Sequence, residues 1–348
     1  MENFNIIKVF FLTTLSFVVA LGWTPLLTHF LFKYKLGKQI RDEKSAPIFS
    51  KMHQKKSGTP TMGGLIIWVT VAALAMIFWL LAKWFGGNFF SSMDFLTRKE
   101  TLLPLGVLVA SALVGLVDDY FNVRRIGPRG GGLRMRHRLL IYTAIAAVGA
   151  YWFYYKLDWD LIHVPFVGDY NVGWFFIPFA IFVIVATAFS VNETDGLDGL
   201  AGGTLLTAFG AMGAIAFSQG KYELAAFCGV VIGALLAFLW FNINPARFFM
   251  GDTGAMSLGV TLAVIALLTN SALLLPIIGL VFLVESLSVI VQMVSKKFFN
   301  RKIFLSTPIH HHLEAIGWPE SKIVMRAWVI AAVAATVGLV IFLMDKTF

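Results

Sequence analysis

The chain has 348 residues, of which 58% are hydrophobic and 14% are charged, and its formal net charge is +9. A soluble domain cannot bury that much apolar surface, so the composition excludes an ordinary water-soluble globular protein and indicates an integral membrane protein. The lone cysteine, Cys228, excludes an intramolecular disulfide and a CxxC metal or redox motif. The sequence shows no internal repeat, which predicts a single membrane domain over residues 1–348.

Ten apolar segments are predicted to cross the membrane, because a bilayer core requires about 20 apolar residues per helix. The first is too long for the apolar part of a signal peptide and is predicted to be a retained span. The uncharged stretch 253–284 is too long for one span, and Asn270-Ser271 is predicted to be the turn that divides it. The predicted fold is all-α, with ten transmembrane helices near 9–32, 63–82, 101–117, 139–155, 170–192, 199–220, 224–246, 254–270, 272–295 and 327–344.

The distribution of basic residues predicts the orientation. The links after every odd-numbered span contain 21 of the 28 Lys and Arg residues. Because cytoplasmic loops are enriched in these residues, that side is predicted to be cytoplasmic and both termini periplasmic. The same side carries five polar motifs, which are KKSGTPTMGG, VDDY, NETDGLDGL, NPARFFMGDTG and TPIHHHLE. The sequence therefore predicts an active site at the cytoplasmic face.

Two adjacent carboxylates, Asp118 and Asp119, are predicted to end the third span. Carboxylates beside hydrocarbon are costly unless they are neutralised, which favours a divalent cation or a bound substrate. A solvated pair at a helix end, offset by Arg124 and Arg125, is the alternative that the sequence leaves open.

The segment NETDGLDGL is the most unusual of the five. Asp195 and Asp198 are three residues apart and share a face if the segment is helical. Asn192 adds an amide that can donate and accept hydrogen bonds. A turn between spans does not require this amide and three carboxylates, Glu193 included, within seven residues. The pattern therefore favours a functional segment over a simple turn.

The segment FFMGDTG carries Asp252, an oxygen ligand of the kind that suits Mg²⁺, which takes one or two carboxylates and completes its shell with phosphate oxygens and water. Phe248 and Phe249 either stack on a planar base or serve as aromatics at the membrane edge. Asn242, Asn244 and Pro245 indicate an irregular start to this link.

Three consecutive histidines, His310, His311 and His312, are predicted to point about 100° apart on a helix, so one ion could not easily take all three. Phosphate contact or proton handling is favoured, with Glu314 orienting one imidazole. Glu285, inside the ninth span, is predicted to be either functional or paired within the bundle.

Lys56 and Thr61 belong to a segment that is not a Walker A loop, since the order GxxxxGK[ST] is absent. A lysine and a threonine hydroxyl at a helix start can still hold phosphate. A basic loop capped into the second span is the alternative.

Taken together, the motifs resemble the polyprenyl-phosphate N-acetylhexosamine-1-phosphate transferase superfamily over essentially the whole chain. The paired aspartates and the NxxDGxDGL pattern resemble the superfamily in general, whereas PTMGG and PIHHHLE resemble its phospho-N-acetylmuramoyl-pentapeptide transferase branch. The resemblance implies transfer from UDP-MurNAc-pentapeptide to undecaprenyl phosphate, giving lipid I and UMP in peptidoglycan biosynthesis. It also implies a Mg²⁺ cofactor, a homodimer, no nucleic-acid partner and a multi-pass location in the bacterial inner membrane.

The resemblance also implies roles for individual residues. Asp252 is the implied Mg²⁺ ligand, Asp118 the implied base for the lipid phosphate with Asp119 supporting it, and His311 an implied catalytic residue near the diphosphate. The implied substrate-binding residues are Lys56, Thr61, Asn192, Asp195, Asp198, Asn242, Phe249, His310 and His312. The chain departs from the family pattern at Glu193, Asn122, Ala255 and 127–132.

Three other functions fit parts of the pattern. A related transferase using UDP-GlcNAc would share most of the motifs. A transporter would have a similar number of spans, but its sites tend to lie at the midplane between repeats. A scaffold of wall synthesis would not require the carboxylates. For the transferase, direct attack and a two-step route through an aspartyl-phosphate both remain open.

Overall fold

The computed structural model describes residues 2–37, 56, 58–127 and 131–346. The middle of the predicted 33–62 link and residues 128–130 of the atypical segment 127–132 lie outside the described residues. Helices dominate the described chain, and they are α1 (Glu2–Lys33), α2 (Leu65–Phe85), α3 (Asn88–Met93), α4 (Leu102–Val123), α5 (Met135–Lys156), α6 (Phe176–Thr194), α7 (Leu200–Ser218), α8 (Tyr222–Asn242), α9 (Asp252–Leu268), α10 (Leu275–Ile278), α11 (Leu280–Phe299), α12 (Ile309–Ala315) and α13 (Glu320–Asp345).

Seven helices in the described ranges are long and apolar enough to cross a membrane, or eight if the bent pair Ala272–Ile278 and Leu280–Phe299 is one span. The chain therefore has the character of a multi-pass membrane protein. Two predicted spans, 139–155 and 254–270, coincide with α5 and α9, which fall outside that set. Helix α9 has 17 residues, fewer than any of the seven helices that are long enough to cross a membrane.

Helix α9 lies inside the bundle. Every residue from Thr253 to Leu268 is buried, and α9 packs against α4 and α6. A helix that is apolar on all sides is stable only when protein surrounds it, which explains why a short helix can occupy this position. As a result, Asp252 at its first turn lies amid the other helices.

The structure corrects one predicted boundary, confirms one predicted turn and shows one bend that was not predicted. Helix α4 does not end before the paired aspartates but continues through them to Val123, because their carboxylates bond to neighbouring elements. The predicted turn at Asn270-Ser271 is present between α9 and a short 3₁₀ turn, Ala272–Leu274. The chain then bends by 84° between Ile278 and Leu280, so the predicted ninth span is broken.

A small β-hairpin interrupts the helical pattern. Strands β1 (Leu161–Val164) and β2 (Gly168–Asn171) pair antiparallel, and α6 begins at Phe176 rather than near residue 170 as predicted. His163 fixes the hairpin to the bundle: its Nδ1 lies 2.7 Å from Asp169, its Nε2 contacts Asp345 of α13, and its backbone N–H donates to Asn270. These contacts join distant parts of the chain, which local sequence patterns do not reveal.

The contacts of His163 predict a pH-dependent contribution to stability. Partial burial lowers its pKa, but hydrogen bonds to Asp345 and Asp169 outweigh burial, so the pKa is raised above its ordinary value. A raised pKa contributes stability below the unfolded value of about 6.5, and this contribution disappears as the pH rises through the folded value. For a partly exposed pair, the contribution is expected to be under about 1 kcal/mol.

We therefore expect the thermal unfolding temperature of detergent-solubilised protein to fall more between pH 6 and pH 9 than that of the His163→Gln variant. Unfolding scans of both proteins across this range check the prediction. Parallel curves for the two proteins would contradict it.

Candidate active site

Direct contacts join all five polar motifs at one end of the bundle. The paired aspartates come from α4, the NETDGLDGL segment links α6 to α7, and Asp252 opens α9. The Lys56 segment and the histidine segment pack against the NETDGLDGL link, through Asp198 and Gly196 respectively. The sequence motifs thus form a single surface rather than separate polar islands.

Two carboxylates hold the N-terminus of α9. Asp119 accepts hydrogen bonds from the backbone N–H groups of Asp252 at 3.1 Å and Thr253 at 3.0 Å. Asp195 accepts one from Gly251 at 3.2 Å. Negative charge at a helix N-terminus is favourable because the exposed N–H groups carry partial positive charge. Asp119 therefore orients the helix that presents Asp252.

Arg138 contacts both Asp118, the implied base, and Asp252, the implied Mg²⁺ ligand. Its Nε lies 2.5 Å from Asp118 Oδ2, and its Nη2 lies 2.9 Å from Asp252 Oδ2. Asn192 donates to the other oxygen of Asp252 at 2.6 Å, and the backbone N–H of Leu133 donates to Asp118 at 2.5 Å. The sequence offered no sign of this role, because Arg138 was one of six basic residues in its link.

The backbones of α4 and α9 approach each other closely at Gly115. A Cβ atom on Gly115 would lie 2.4 Å from the carbonyl oxygen of Asp252, closer than packed atoms allow. Gly115 precedes Asp118 by one helical turn, so the missing side chain lets the aspartates of α4 reach the start of α9.

Lys56 joins an ion-pair network on the other side of the NETDGLDGL segment. Its Nζ lies 2.7 Å from Asp198 Oδ1 and 2.5 Å from Glu320 Oε1. Asn244 donates to Asp198 Oδ2 at 3.0 Å and to Glu320 at 3.1 Å. The sequence gives no sign of this role for Glu320, since it opens the last apolar helix like an ordinary N-terminal carboxylate.

Asp195 and Asp198 would share a face only in a helical segment, and the structure does not meet that condition. Helix α6 ends at Thr194 and α7 begins at Leu200, so both residues lie in the turn between the helices. Asp195 bonds to the α9 N-terminus, whereas Asp198 bonds to Lys56.

The two neighbouring phenylalanines have different environments. Phe248 is fully buried, with ring centroids of Phe238 and Phe241 both 5.9 Å away, so it cannot stack on a ligand. Phe249 is half-buried, and Lys56 Nζ lies 5.9 Å from its ring centroid. Of the pair, only Phe249 keeps a face near a charged group of the site.

Asn242 and Thr61 are both buried next to the site. Buried Asn242 accepts from the Gly199 N–H at 2.9 Å and donates to the Phe248 carbonyl at 2.8 Å, which ties two motifs together. Thr61 is also buried, and among the described residues its hydroxyl has no hydrogen-bond partner. That hydroxyl faces Gly251, beside Asp119.

His310 is buried and pairs with the carboxylate inside α11. Its Nδ1 lies 2.8 Å from Glu285 Oε2, so Glu285 is paired within the bundle. Its Nε2 faces Gly196, where a Cβ atom would lie 2.2 Å away. The buried Nε2 has no hydrogen-bond partner in the part of the chain that the structure describes.

The other two histidines point elsewhere, as the helical spacing predicted. His311 Nδ1 lies 2.8 Å from Glu314, which confirms the expected orienting carboxylate. His312 Nδ1 accepts from the backbone N–H of Leu305 at 3.3 Å. The extra acid, Glu193, accepts from Ser286 of α11 at 2.5 Å.

The donor set suits a cation that binds through few protein ligands. Across the described ranges, no group of three or more His, Cys, Asp or Glu side chains is arranged to hold a metal ion. Mg²⁺ does not need such a cage, because it uses one or two carboxylates with phosphate oxygens and water. Asp252 and Asp118 approach the same guanidinium, which shows that the position accommodates positive charge.

Sequence comparisons identify the relatives of this chain. Residues 101–270 match the family described as glycosyl transferase family 4, and residues 56–67 match phospho-N-acetylmuramoyl-pentapeptide-transferase signature 1. The proteins of that name from Chloroflexus aggregans and from Geobacillus sp. (strain WCH70) are 40% and 39% identical to it. The alignments cover 94% of this chain in both cases, and 88% and 95% of the two relatives. The chain therefore belongs to the phospho-N-acetylmuramoyl-pentapeptide-transferase family.

Proposed function

We propose that the protein transfers phospho-MurNAc-pentapeptide from UDP-MurNAc-pentapeptide to undecaprenyl phosphate, giving lipid I and UMP. The observation that carries this proposal is the contact network that joins Asp118, Arg138 and Asp252 at the meeting point of α4, α5 and α9. The network combines carboxylates with a fixed guanidinium, which suits a reaction between two anionic phosphates. The names of the relatives favour this function over UDP-GlcNAc transfer, transport and scaffolding.

We propose ten spans, with both termini periplasmic and the active site at the cytoplasmic face of the bacterial inner membrane. Each of the ten predicted segments overlaps a described helix, which supports the count, and the bias of Lys and Arg supports the orientation. A homodimer is proposed from the family resemblance.

The reaction forms a bond between a lipid phosphate oxygen and the β-phosphorus of the nucleotide sugar. The bond from the β-phosphorus to the bridging oxygen breaks, and that oxygen leaves on UMP. Asp118 accepts the proton of the lipid phosphate or orients its oxygen, and Asp119 keeps α9 in place beside it. Direct attack and a two-step route remain alternatives, which the stereochemistry at phosphorus separates: inversion fits one step and retention two.

Asp252 would hold Mg²⁺, which supplies charge neutralisation for the diphosphate and the leaving UMP when bound. Arg138 contributes a second positive charge at the same position. Asn192 fixes the Asp252 carboxylate through its hydrogen bond. Such fixed charges are effective because they need not reorganise during the reaction.

The donor side of the site is proposed to lie around Phe249 and the Lys56 network. Phe249 offers a ring face to a nucleobase, while Lys56 and Thr61 offer a cation and a hydroxyl to phosphate or ribose. Asp195 and Asp198 hold the backbone of this region. His310, His311 and His312 are proposed to line the diphosphate and sugar end, where Glu285 and Glu314 orient two of the imidazoles.

The decisive experiment supplies purified protein with undecaprenyl phosphate, Mg²⁺ and one nucleotide sugar at a time. We expect UMP release with UDP-MurNAc-pentapeptide and at least about tenfold less with UDP-GlcNAc, since tenfold corresponds to about 1.4 kcal/mol of discrimination. Equal or greater turnover of UDP-GlcNAc would overturn the assigned donor. No UMP release at any Mg²⁺ concentration would favour transport or scaffolding.

A further inference from the structure

Helix α13 presents a long apolar face to the outside of the bundle. Ile330, Val333, Val337, Val340 and Met344 recur at alternating spacings of three and four residues, which places them on one side of the helix. Each of these side chains is exposed by 46–60%. Because α13 is long and apolar enough to cross a membrane, this face is suited to contact lipid chains.

Two cations stand at the N-terminal end of this apolar face. Lys322 and Arg326 lie eight and four residues before Ile330, so they continue the same side of the helix, and both are exposed. The nearest carboxylate in the sequence, Glu320, pairs with Lys56 instead. In the described ranges, neither cation is paired with a carboxylate. The apolar face therefore begins at two positive charges.

Trp318 holds both cations close to its indole ring. Lys322 Nζ lies 4.6 Å and the guanidinium carbon of Arg326 lies 4.7 Å from the ring centroid. A cation near the face of a tryptophan is attracted by the ring electrons. Tryptophan is also enriched where lipid chains meet water, and lysine and arginine stems lie along apolar surface while their charged ends reach the head groups. The three side chains thus form a cationic cluster suited to the head-group layer.

A recess lies beside the apolar face, between residues 207–211 of α7 and 332–339 of α13, and its volume is about 240 Å³. A Cβ atom on Gly210 would meet no atom within 4 Å, so this glycine leaves the space open. The recess is smaller than the range of about 300–1,000 Å³ for small-molecule pockets, which suits part of a hydrocarbon chain. It extends from about 9 Å to about 20 Å along the helix axis from Arg326, which is within the depth of one leaflet.

We propose that Trp318, Lys322 and Arg326 bind the phosphate of an anionic phospholipid, with one acyl chain lying along α13 and in the recess. This site goes beyond the proposed transferase function and does not depend on it. Charge complementarity selects the lipid class, because two cations attract an anionic head group, whereas a choline cation offsets the phosphate of a zwitterionic one. The occupant is a structural phospholipid rather than the acceptor, because these cations lie on an exposed face and Asp118 is buried inside the bundle.

Native mass spectrometry of the full-length, delipidated protein tests this site without turnover. The protein is titrated with phosphatidylglycerol and with phosphatidylcholine that carries the same acyl chains. We expect the first phosphatidylglycerol to bind at least about fivefold more tightly, because each basic residue at the membrane surface adds attraction for an anionic lipid. Equal affinity for the two lipids would overturn the proposal. Glycerol phosphate is expected to leave lipid occupancy unchanged, and displacement by it would show a site for free anions instead.

Matched double substitutions locate the head-group site. Lys322→Gln combined with Arg326→Gln is expected to weaken phosphatidylglycerol binding at least about fivefold and to leave phosphatidylcholine binding within about twofold. Lys296→Gln combined with Lys297→Gln removes the same charge from exposed lysines in the last turn of α11. This control is expected to keep the affinity for phosphatidylglycerol within about twofold of the parent protein. Equal weakening by the two pairs would show general electrostatic attraction and would overturn the site.

A glycine pair tests the recess. Gly210→Leu fills it and is expected to weaken the binding of both lipids at least about threefold, because the displaced methylene groups lose apolar contact. Gly22→Leu is the matched control, since a Cβ atom at Gly22 also meets no atom within 4 Å and Gly22 does not line the recess. Unchanged affinity of folded Gly210→Leu would overturn the chain position, and if this variant does not fold, the charge pairs decide. Dimers that take up no phosphatidylglycerol would show that a second copy covers the face and would overturn the proposal.

Discussion

Replacing Asp252 with asparagine is expected to reduce kcat by about 1,000-fold or more while the fold is retained. The carboxylate is the implied Mg²⁺ ligand, and one of its oxygens contacts Arg138 at 2.9 Å. Asparagine has the same shape but no charge, so the variant loses the electrostatic stabilisation of the diphosphate that the reaction requires. Arg138 keeps Asp118 as its ion-pair partner, so the variant avoids an unpaired buried charge.

The measurement is UMP release at saturating substrates over a range of Mg²⁺ concentrations, together with a thermal unfolding scan. Asp158→Asn is the matched control, since it makes the same substitution at an exposed residue outside the site. Near-normal activity of Asp252→Asn or Asp252→Ala at saturating Mg²⁺ would remove this residue from the metal site.

Gly115→Ala is expected to lower kcat about 100-fold, although Gly115 contacts no substrate in the proposed mechanism. The added Cβ would lie 2.4 Å from the Asp252 carbonyl oxygen, and the neighbouring atoms are backbone, which cannot rotate away. Helices α4 and α9 must therefore move apart, which displaces Asp252 from Asp118. A displacement of about 1 Å in a catalytic group can cost about 100-fold in rate, and overpacking costs about 1–3 kcal/mol of stability.

Gly106→Ala provides an internal control on the same helix. A Cβ at Gly106 meets no atom within 4 Å, so alanine should be tolerated there and should stabilise α4 by up to about 1 kcal/mol. Kinetic constants and unfolding temperatures of the two variants are measured side by side. Similar, near-normal kcat values would show that close approach of α4 and α9 is not required.

Hydropathy and motif order predict which polar segments come together in the candidate site. The apolar runs located the described helices because a membrane span needs a long uncharged segment, which is a local property of sequence. Rare polar residues at the ends of these runs mark the candidate site. Polar groups beside hydrocarbon cost free energy, so their presence there indicates a function. The sequence marks Asp252, Asp118 and Lys56 as candidates on this ground.

Partners contributed by distant, ordinary-looking residues could not be predicted. Arg138 resembles any basic residue of a cytoplasmic link, and Glu320 resembles any carboxylate at a helix start. Arg138 forms ion pairs with Asp118 and Asp252, which are 20 and 114 residues away along the chain. Glu320 forms an ion pair with Lys56, which is 264 residues away. The hairpin and its His163 contact with Asp345 escaped prediction for the same reason.

The sequence by itself determined that this protein is a multi-pass membrane protein and which polar motifs belong to its site, because both follow from the high cost of polar groups in hydrocarbon. Only the tertiary structure decided which contacts each residue of those motifs makes. Asp119 holds a helix, Asp252 meets Arg138, and Asp195 and Asp198 enter different networks. Such assignments depend on distances of a few ångströms between segments that are far apart in the chain, and only packing of the helices sets them.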